Sequence, residues 1–237
     1  MEQLPFENYL LVAAIDFGTT YSGYAFYIRD EFKKDPLKIH CNQVWNAGGR
    51  QLLSLKTSTC LLPDSQKKFV SFGFDAENKY SEIVTEEQHA DYFYFHRFKM
   101  NRHNTKKLNK DLVIKDLAGK SCLAIEVFAL SIQALKDHLL EALKTQGINV
   151  DMNDIQWVIT VPAIWSDSAK QFMRKSAGMA GIDGEKLRIA LEPEAASIYC
   201  QHLPLEKYKG GFTITEVGTK YLVADLGGET ADLTVHE

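Results

Sequence analysis

The spacing of apolar residues along the chain switches between two periods, and the switches mark the elements. Tyr9–Phe17 contains the continuous apolar run Leu10–Ile15 and reads as a buried strand. Tyr21–Ile28 alternates and reads as its hairpin partner, closed by Gly18-Thr19-Thr20. A second strand pair is expected at Ser58–Leu62 and Lys68–Phe72, split by Pro63-Asp64. Glu77–Met100 is polar with aromatic islands, ends in "YFYFHRFKM", and reads as loosely helical. Leu112–Lys115 reads as a short strand before an Ala118-Gly119 turn. In Leu123–Lys144, Ile125, Phe128, Ile132, Leu135 and Leu139 recur at helical spacing, with Gly147 ending the region. Ile155–Val161 is apolar enough for a fully buried strand and is stopped by Pro162. Ser166 or Asp167 can cap a helix running to about Ala180, terminated by Gly181. Leu187–Leu191 is the next strand, and Glu192-Pro193 opens a helix with proline in its first turn. Tyr221–Leu226 is a last buried strand, with "ADLTV" as its hairpin partner.

Strands and helices thus alternate, with hairpins at both ends, which predicts an α/β fold with a mixed sheet. No stretch is rich in Gly, Pro and Ser together; Leu203–Lys220 is the only plausible hinge or boundary.

Composition narrows the function. An apolar fraction of 45% over 237 residues is that of an ordinary folded domain with a real core. A net charge of −4 gives no global attraction to nucleic acid or anionic lipid. The longest apolar run is too short to span a membrane or to form a signal core, and Asp16 stops it. Cys41, Cys60, Cys122 and Cys200 form no C-x-x-C pair and sit at no metal-finger spacing to histidine, although His40 adjoins Cys41. That usage points to a reducing, cytoplasmic compartment.

One figure appears twice. "LVAAIDFGTT" is an apolar strand followed by Asp16, Phe17, Gly18 and hydroxyls; "YLVADLGGETAD" is an apolar strand followed by Asp225, Leu226, Gly227, Gly228 and Thr230. Two copies of one hairpin suggest two lobes facing each other across a cleft. Glycine at a tight turn lets backbone N–H groups approach an anion, and a threonine hydroxyl adds a donor. An aspartate beside phosphates repels them unless a cation intervenes, and Mg²⁺ keeps its waters and needs only one or two carboxylates. Asp16 and Asp225 would then face a hydrated Mg²⁺. The chain has no G-x-x-x-x-G-K-[ST] and no G-x-G-x-x-G opening a helix. The plainer alternative is a pair of β-turns with capping aspartates. Glu192, at a strand end and a helix start, is favourable there through the helix dipole alone; alternatively it orients an attacking water in phosphoryl transfer.

Beyond this point a resemblance adds to the residues. "IDFGTTYSG", "WVITVPAIW", "LEPEAAS" and "ADLGGETADL" occur in the order of the phosphate-1, connecting and phosphate-2 segments of the actin-like ATPase superfamily. They resemble more closely the seventy-kilodalton heat-shock chaperones, and most closely the heat shock 70 kDa protein 12 branch, through "SGYA", "FKM", "QFMR" and "ALEPEAASIYC". The resemblance implies a ribonuclease-H-like, actin-type ATPase lobe over residues 1–205, then a linker and the first hairpin of a truncated second lobe over 206–237. It implies an ATP-binding, chaperone-type ATPase using Mg²⁺. Asp16 and Asp225 would be metal-associated through water. Gly18, Thr19, Thr20 and Tyr21 would form phosphate-1, and Gly227, Gly228 and Thr230 phosphate-2, with Asp232 the acid after it. Glu192 would orient water. Pro162 would signal to a peptide-binding domain, with Lys170 replacing its arginine partner and losing the bidentate fork.

Three departures favour an alternative, an interaction module that keeps the fold without productive ATP turnover. The third phosphate-2 glycine is Glu229, whose charge at ~5 Å from a phosphate and effective dielectric ~20 would repel by roughly 3 kcal/mol. The family's catalytic lysine has no clean counterpart, His96 or Arg97 occupying its place by alternative alignments, and His96–Lys107 reads as a solvated basic face. The chain stops at Glu237, before an adenosine pocket, which predicts weak or absent ATP binding by these residues alone.

Overall fold

The structure, a computed structural model, describes residues 9–41, 45–46, 53–99, 111–202, 218–228 and 231–237. In chain order its strands are β1 (Leu11–Phe17), β2 (Tyr21–Ile28), β3 (His40–Cys41), β4 (Trp45–Asn46), β5 (Leu53–Ser54), β6 (Thr57–Ser58), β7 (Cys60–Pro63), β8 (Phe69–Phe72), β9 (Phe95–His96), β10 (Val113–Lys115), β11 (Ser121–Leu123), β12 (Ile155–Val161), β13 (Leu187–Leu191), β14 (Tyr221–Leu226) and β15 (Ala231–His236). The helices are α1 (Arg29–Phe32), α2 (Phe74–Thr85), α3 (Ala124–Thr145), α4 (Asp167–Met179) and α5 (Glu192–His202).

The main sheet has six strands in the order β13-β12-β1-β2-β3, with β6 also pairing β2. β1, β12 and β13 run parallel, whereas β2 is antiparallel to β1. The sheet is therefore mixed, as the alternating elements predicted. Strand periodicity explains how an acid can end a buried strand. Leu11, Ala13, Ile15 and Phe17 point into the core, while Val12, Ala14 and Asp16 occupy the other face. The apolar stripe of α3, including Phe128, Ile132, Leu135 and Leu139, packs into the same core as Phe17 and Trp157. Phe17, Phe98, Phe128 and Phe172 form an aromatic cluster with centroids 5.3–6.0 Å apart. Ser166 caps α4 as expected, its Oγ accepting from Ala169 N–H.

The expectation of loose helix over Glu77–Met100 is corrected. α2 starts earlier, at Phe74, and stops at Thr85. It starts there because Gly73 takes a positive φ of 72° and the Phe74 N–H donates to Thr57 Oγ1 at 2.9 Å. Beyond it the chain is extended: β9 pairs with β7, Leu61 facing Phe95. Phe95 is buried and His96 exposed, a period of two that outweighs the polar composition. β11 was not anticipated; it pairs with β10 around Gly119, whose φ is 85°. Most of the expected hinge, residues 203–217, lies outside the described residues.

β14 and β15 form a separate two-stranded sheet. Ser197 and Gln201 of α5 attach it, with the Ser197 Oγ 2.7 Å from the Tyr221 hydroxyl oxygen and the Gln201 Nε2 donating to that oxygen at 3.2 Å. Tyr221→Phe is expected to cost about 1 kcal/mol of this attachment, read as faster amide hydrogen exchange over β14 and β15 with unchanged exchange in the main sheet.

Candidate functional site

The two hairpins meet at their tips. Both line one cavity of about 750 Å³, with Asp16, Gly18, Thr19, Thr20 and Tyr21 on one side and Asp225, Gly227 and Gly228 on the other. Glu192, Pro162, Asp232, Lys56 and Lys99 also face it. The expected site residues are thus gathered in one crevice, apart from Thr230, which with Glu229 lies outside the described residues.

Two glycines set the approach. A Cβ on Gly18 would lie 2.1 Å from the Tyr21 carbonyl oxygen, so this turn closes only around glycine. A Cβ on Gly228 would lie 2.7 Å from Thr20 Oγ1 and 2.9 Å from Thr20 Cβ, so the second hairpin tip rests directly on the first. Thr59 clamps the first turn: its Oγ1 donates to Gly18 O at 2.9 Å and lies 2.7 Å from Ser22 Oγ, and its N–H donates to Thr20 O at 2.9 Å.

The cavity fits a phosphate chain on two observations. Thr20 Oγ1 is buried where the two hairpin tips meet, without a hydrogen-bond partner among the described residues, and an unsatisfied hydroxyl there is a donor that a small shift of the Gly228 tip would offer to an anion in the cavity. Asp225 and Asp232 stand directly opposite each other across β14 and β15, both bordering the cavity. Like charges so placed repel, and a hydrated divalent cation, needing only one or two carboxylates, relieves that. Among the described residues there is no cluster of three or more His, Cys, Asp or Glu able to hold a metal directly.

Glu192 opens α5 at the end of β13 and is mostly buried. Burial pushes its carboxyl above the usual carboxylate range, only partly opposed by Lys99. Lys99 corrects the sequence reading. It is 5% exposed, and its Nζ donates to Phe17 O at 2.6 Å and to Glu192 Oε1 at 3.2 Å. The ammonium also sits 5.2 Å from the centroid of the Trp165 ring. Thus neither His96 nor Arg97 but Lys99 brings a cation to the site, and the basic face does not extend to it. Phe98 is the cause: buried in the aromatic cluster, it draws the next residue inward beneath the end of β1. The F-x-x-F-K spacing of Phe95, Phe98 and Lys99 was the available signal. Lys56 and Thr59 were also missed, since neither belongs to a motif.

Lys170, at the place of the expected arginine, pairs with Asp167 at 3.6 Å on α4. The four cysteines are free. No described helix is long and apolar enough to cross a membrane.

Comparison with known proteins shows the family. The family model described as Hsp70 protein matches residues 86–237, more than half of the chain. Heat shock 70 kDa protein 12A of Homo sapiens is 37% identical over 98% of this chain and 41% of its own length. Heat shock 70 kDa protein 12B of Homo sapiens is 36% identical over 97% of this chain and 40% of its own length. The chain therefore spans about two-fifths of the length of these curated relatives. The crystal structure of MreB5 of Spiroplasma citri bound to ADP aligns with a TM-score of 0.49 and 14% identity, over 98% of this chain and 49% of that one. The Hsp70 family match, with the mixed sheet and its flanking helices, agrees with the actin-type lobe that the sequence led one to expect. The chain belongs to the Hsp70 protein family, in its heat shock 70 kDa protein 12-like branch.

Proposed function

We propose that this chain is the nucleotide-binding portion of a chaperone-type ATPase that binds and hydrolyses ATP in the cytoplasm, residues 1–205 forming a first lobe and the β14–β15 hairpin beginning a second. The observation that carries the reading is the crevice in which a buried lysine and a buried carboxylate meet two glycine-turn hairpins. The backbone at Gly18–Tyr21, the Thr20 hydroxyl and the Gly227-Gly228 turn would cradle the phosphates. Lys99 would offset charge on the transferring phosphoryl group. Glu192, ionised and hydrogen-bonded to Lys99, would orient the attacking water and accept its proton. Asp225 and Asp232, and Asp16 from the other hairpin, would hold Mg²⁺ through its waters, and the ion would neutralise phosphate charge.

Lys99 removes one of the departures that favoured a module without turnover. That alternative now rests on Glu229. Calorimetric titration of the 237-residue chain with Mg·ATP tests the proposal. Dissociation constants on the order of 0.1–1 mM are expected, since the groups present serve mainly the phosphates. Gly18→Ala with Gly228→Ala, which would put a Cβ into each glycine turn, should abolish the heat. Equal binding by that double variant and the parent would sink the reading.

Turnover should also carry a pH signature. Because burial raises the Glu192 carboxyl, the acid limb of kcat should lie above the ordinary carboxylate range, activity falling as pH drops through it. Glu192→Gln should remove that limb from whatever rate remains. A limb unchanged by Glu192→Gln would assign it to another group.

A further inference from the structure

Asp16 is already paired. Its Oδ2 lies 2.5 Å from Lys56 Nζ, and its Oδ1 accepts from Thr160 Oγ1 at 3.2 Å. The lysine is placed by a seat in the main sheet. Gly23 is the cross-strand partner of Asp16 on β2, so a side chain there would share Asp16's face. Being glycine, it leaves the space free: a Cβ at that position would lie 3.1 Å from both Leu55 O and Lys56 Cγ. The turn joining β5 to β6 lies over this gap. It is held there by the Tyr21–Ser58 and Ser22–Thr57 pairings and by Lys56 N–H donating to Ser54 Oγ at 3.2 Å. The stem of Lys56 crosses the glycine, and its ammonium reaches the carboxylate in the cavity.

We infer that Lys56 is a tethered cation that competes with divalent metal for Asp16. The molecule carries at this carboxylate a charge that a free ion would otherwise supply. Metal would therefore be held mainly from the Asp225 and Asp232 side. A polyphosphate tail entering the cavity would meet an ammonium already in place, and its binding would depend only weakly on divalent ions. This last step rests on the proposed nucleotide binding; the competition itself does not.

The probes are Mn²⁺ alone and ADP. Titrated with Mn²⁺ and followed by its paramagnetic resonance, Lys56→Met should bind the ion about tenfold more tightly than the parent chain, because a neutral stem frees Asp16. Lys56→Arg should behave like the parent. Adding Asp16→Asn to Lys56→Met should return the affinity to the parent's. Equal Mn²⁺ affinity in the parent and Lys56→Met overturns the inference whether or not nucleotide binds. By calorimetry with ADP, replacing Mg²⁺ with a chelator should weaken the parent by less than about threefold and Lys56→Met by about tenfold or more. The same Mg²⁺ dependence in both chains also overturns it. Failure of ADP to bind either chain counts against nucleotide binding alone, and Mn²⁺ then decides the competition.

Discussion

Lys99→Met is expected to destabilise the chain by about 2–4 kcal/mol at mildly alkaline pH and by markedly less at mildly acidic pH. The methionine keeps the length and most of the volume of the stem, so packing beside Trp165 changes little. What is lost is the ammonium between Phe17 O and Glu192 Oε1. Glu192 would then be a buried carboxylate without its cation, and removing one partner of a buried pair is far costlier than removing both. Its carboxyl already stands above the ordinary range through burial, and Lys99 is what holds it down. In the variant it rises further. A carboxyl whose folded-state value exceeds its unfolded value stabilises the protein below both, and that contribution is lost as pH rises through the folded value. Urea unfolding at two pH values measures the difference. The pH dependence should vanish in Lys99→Met combined with Glu192→Gln, where neither charge remains. An equal loss at both pH values would mean that Lys99 acts through packing rather than through Glu192.

Gly18→Ala should cost about 3 kcal/mol and remove the proposed phosphate binding at this turn. Its Cβ would stand 2.1 Å from the Tyr21 carbonyl oxygen, a backbone atom that cannot rotate aside as a side-chain tip can. The turn would open, pulling Gly18 O from Thr59 Oγ1 and Thr20 O from Thr59 N–H. The core strand would persist, because Leu11, Ala13, Ile15 and Phe17 are packed independently of the turn. A lowered urea midpoint with a retained far-ultraviolet dichroism spectrum is the expected result. An unfolding free energy within about 0.5 kcal/mol of the parent's would show that the loop relaxes freely.

The sequence was most legible where one physical rule governed a segment. β1, β12, β13 and α3 follow from period and apolar content alone, and the pairing of the two acid-glycine hairpins follows from their repetition. Glu77–Met100 misled because its composition is polar while its burial is decided residue by residue: Phe95 and Phe98 go inward, and His96 and Arg97 stay out. Lys99 was obscured for the same reason. A lysine among basic neighbours reads as solvated, and only the core position of Phe98 shows that its successor must turn under the sheet. Lys56 and Thr59 were beyond reach, since their roles come from β6 folding back on β2, a contact that no local pattern announces.

One helix joins the two halves of the crevice. Glu192 begins α5, and Ser197 and Gln201 farther along it hold Tyr221 of the second hairpin. At 1.5 Å per residue, Glu192 and Ser197 stand only about 7.5 Å apart along a stiff rod. Any tilt of that rod would displace both its ends at once, so the seat of the β14–β15 hairpin and the placement of the Glu192 carboxylate beside Lys99 are set by one rigid element.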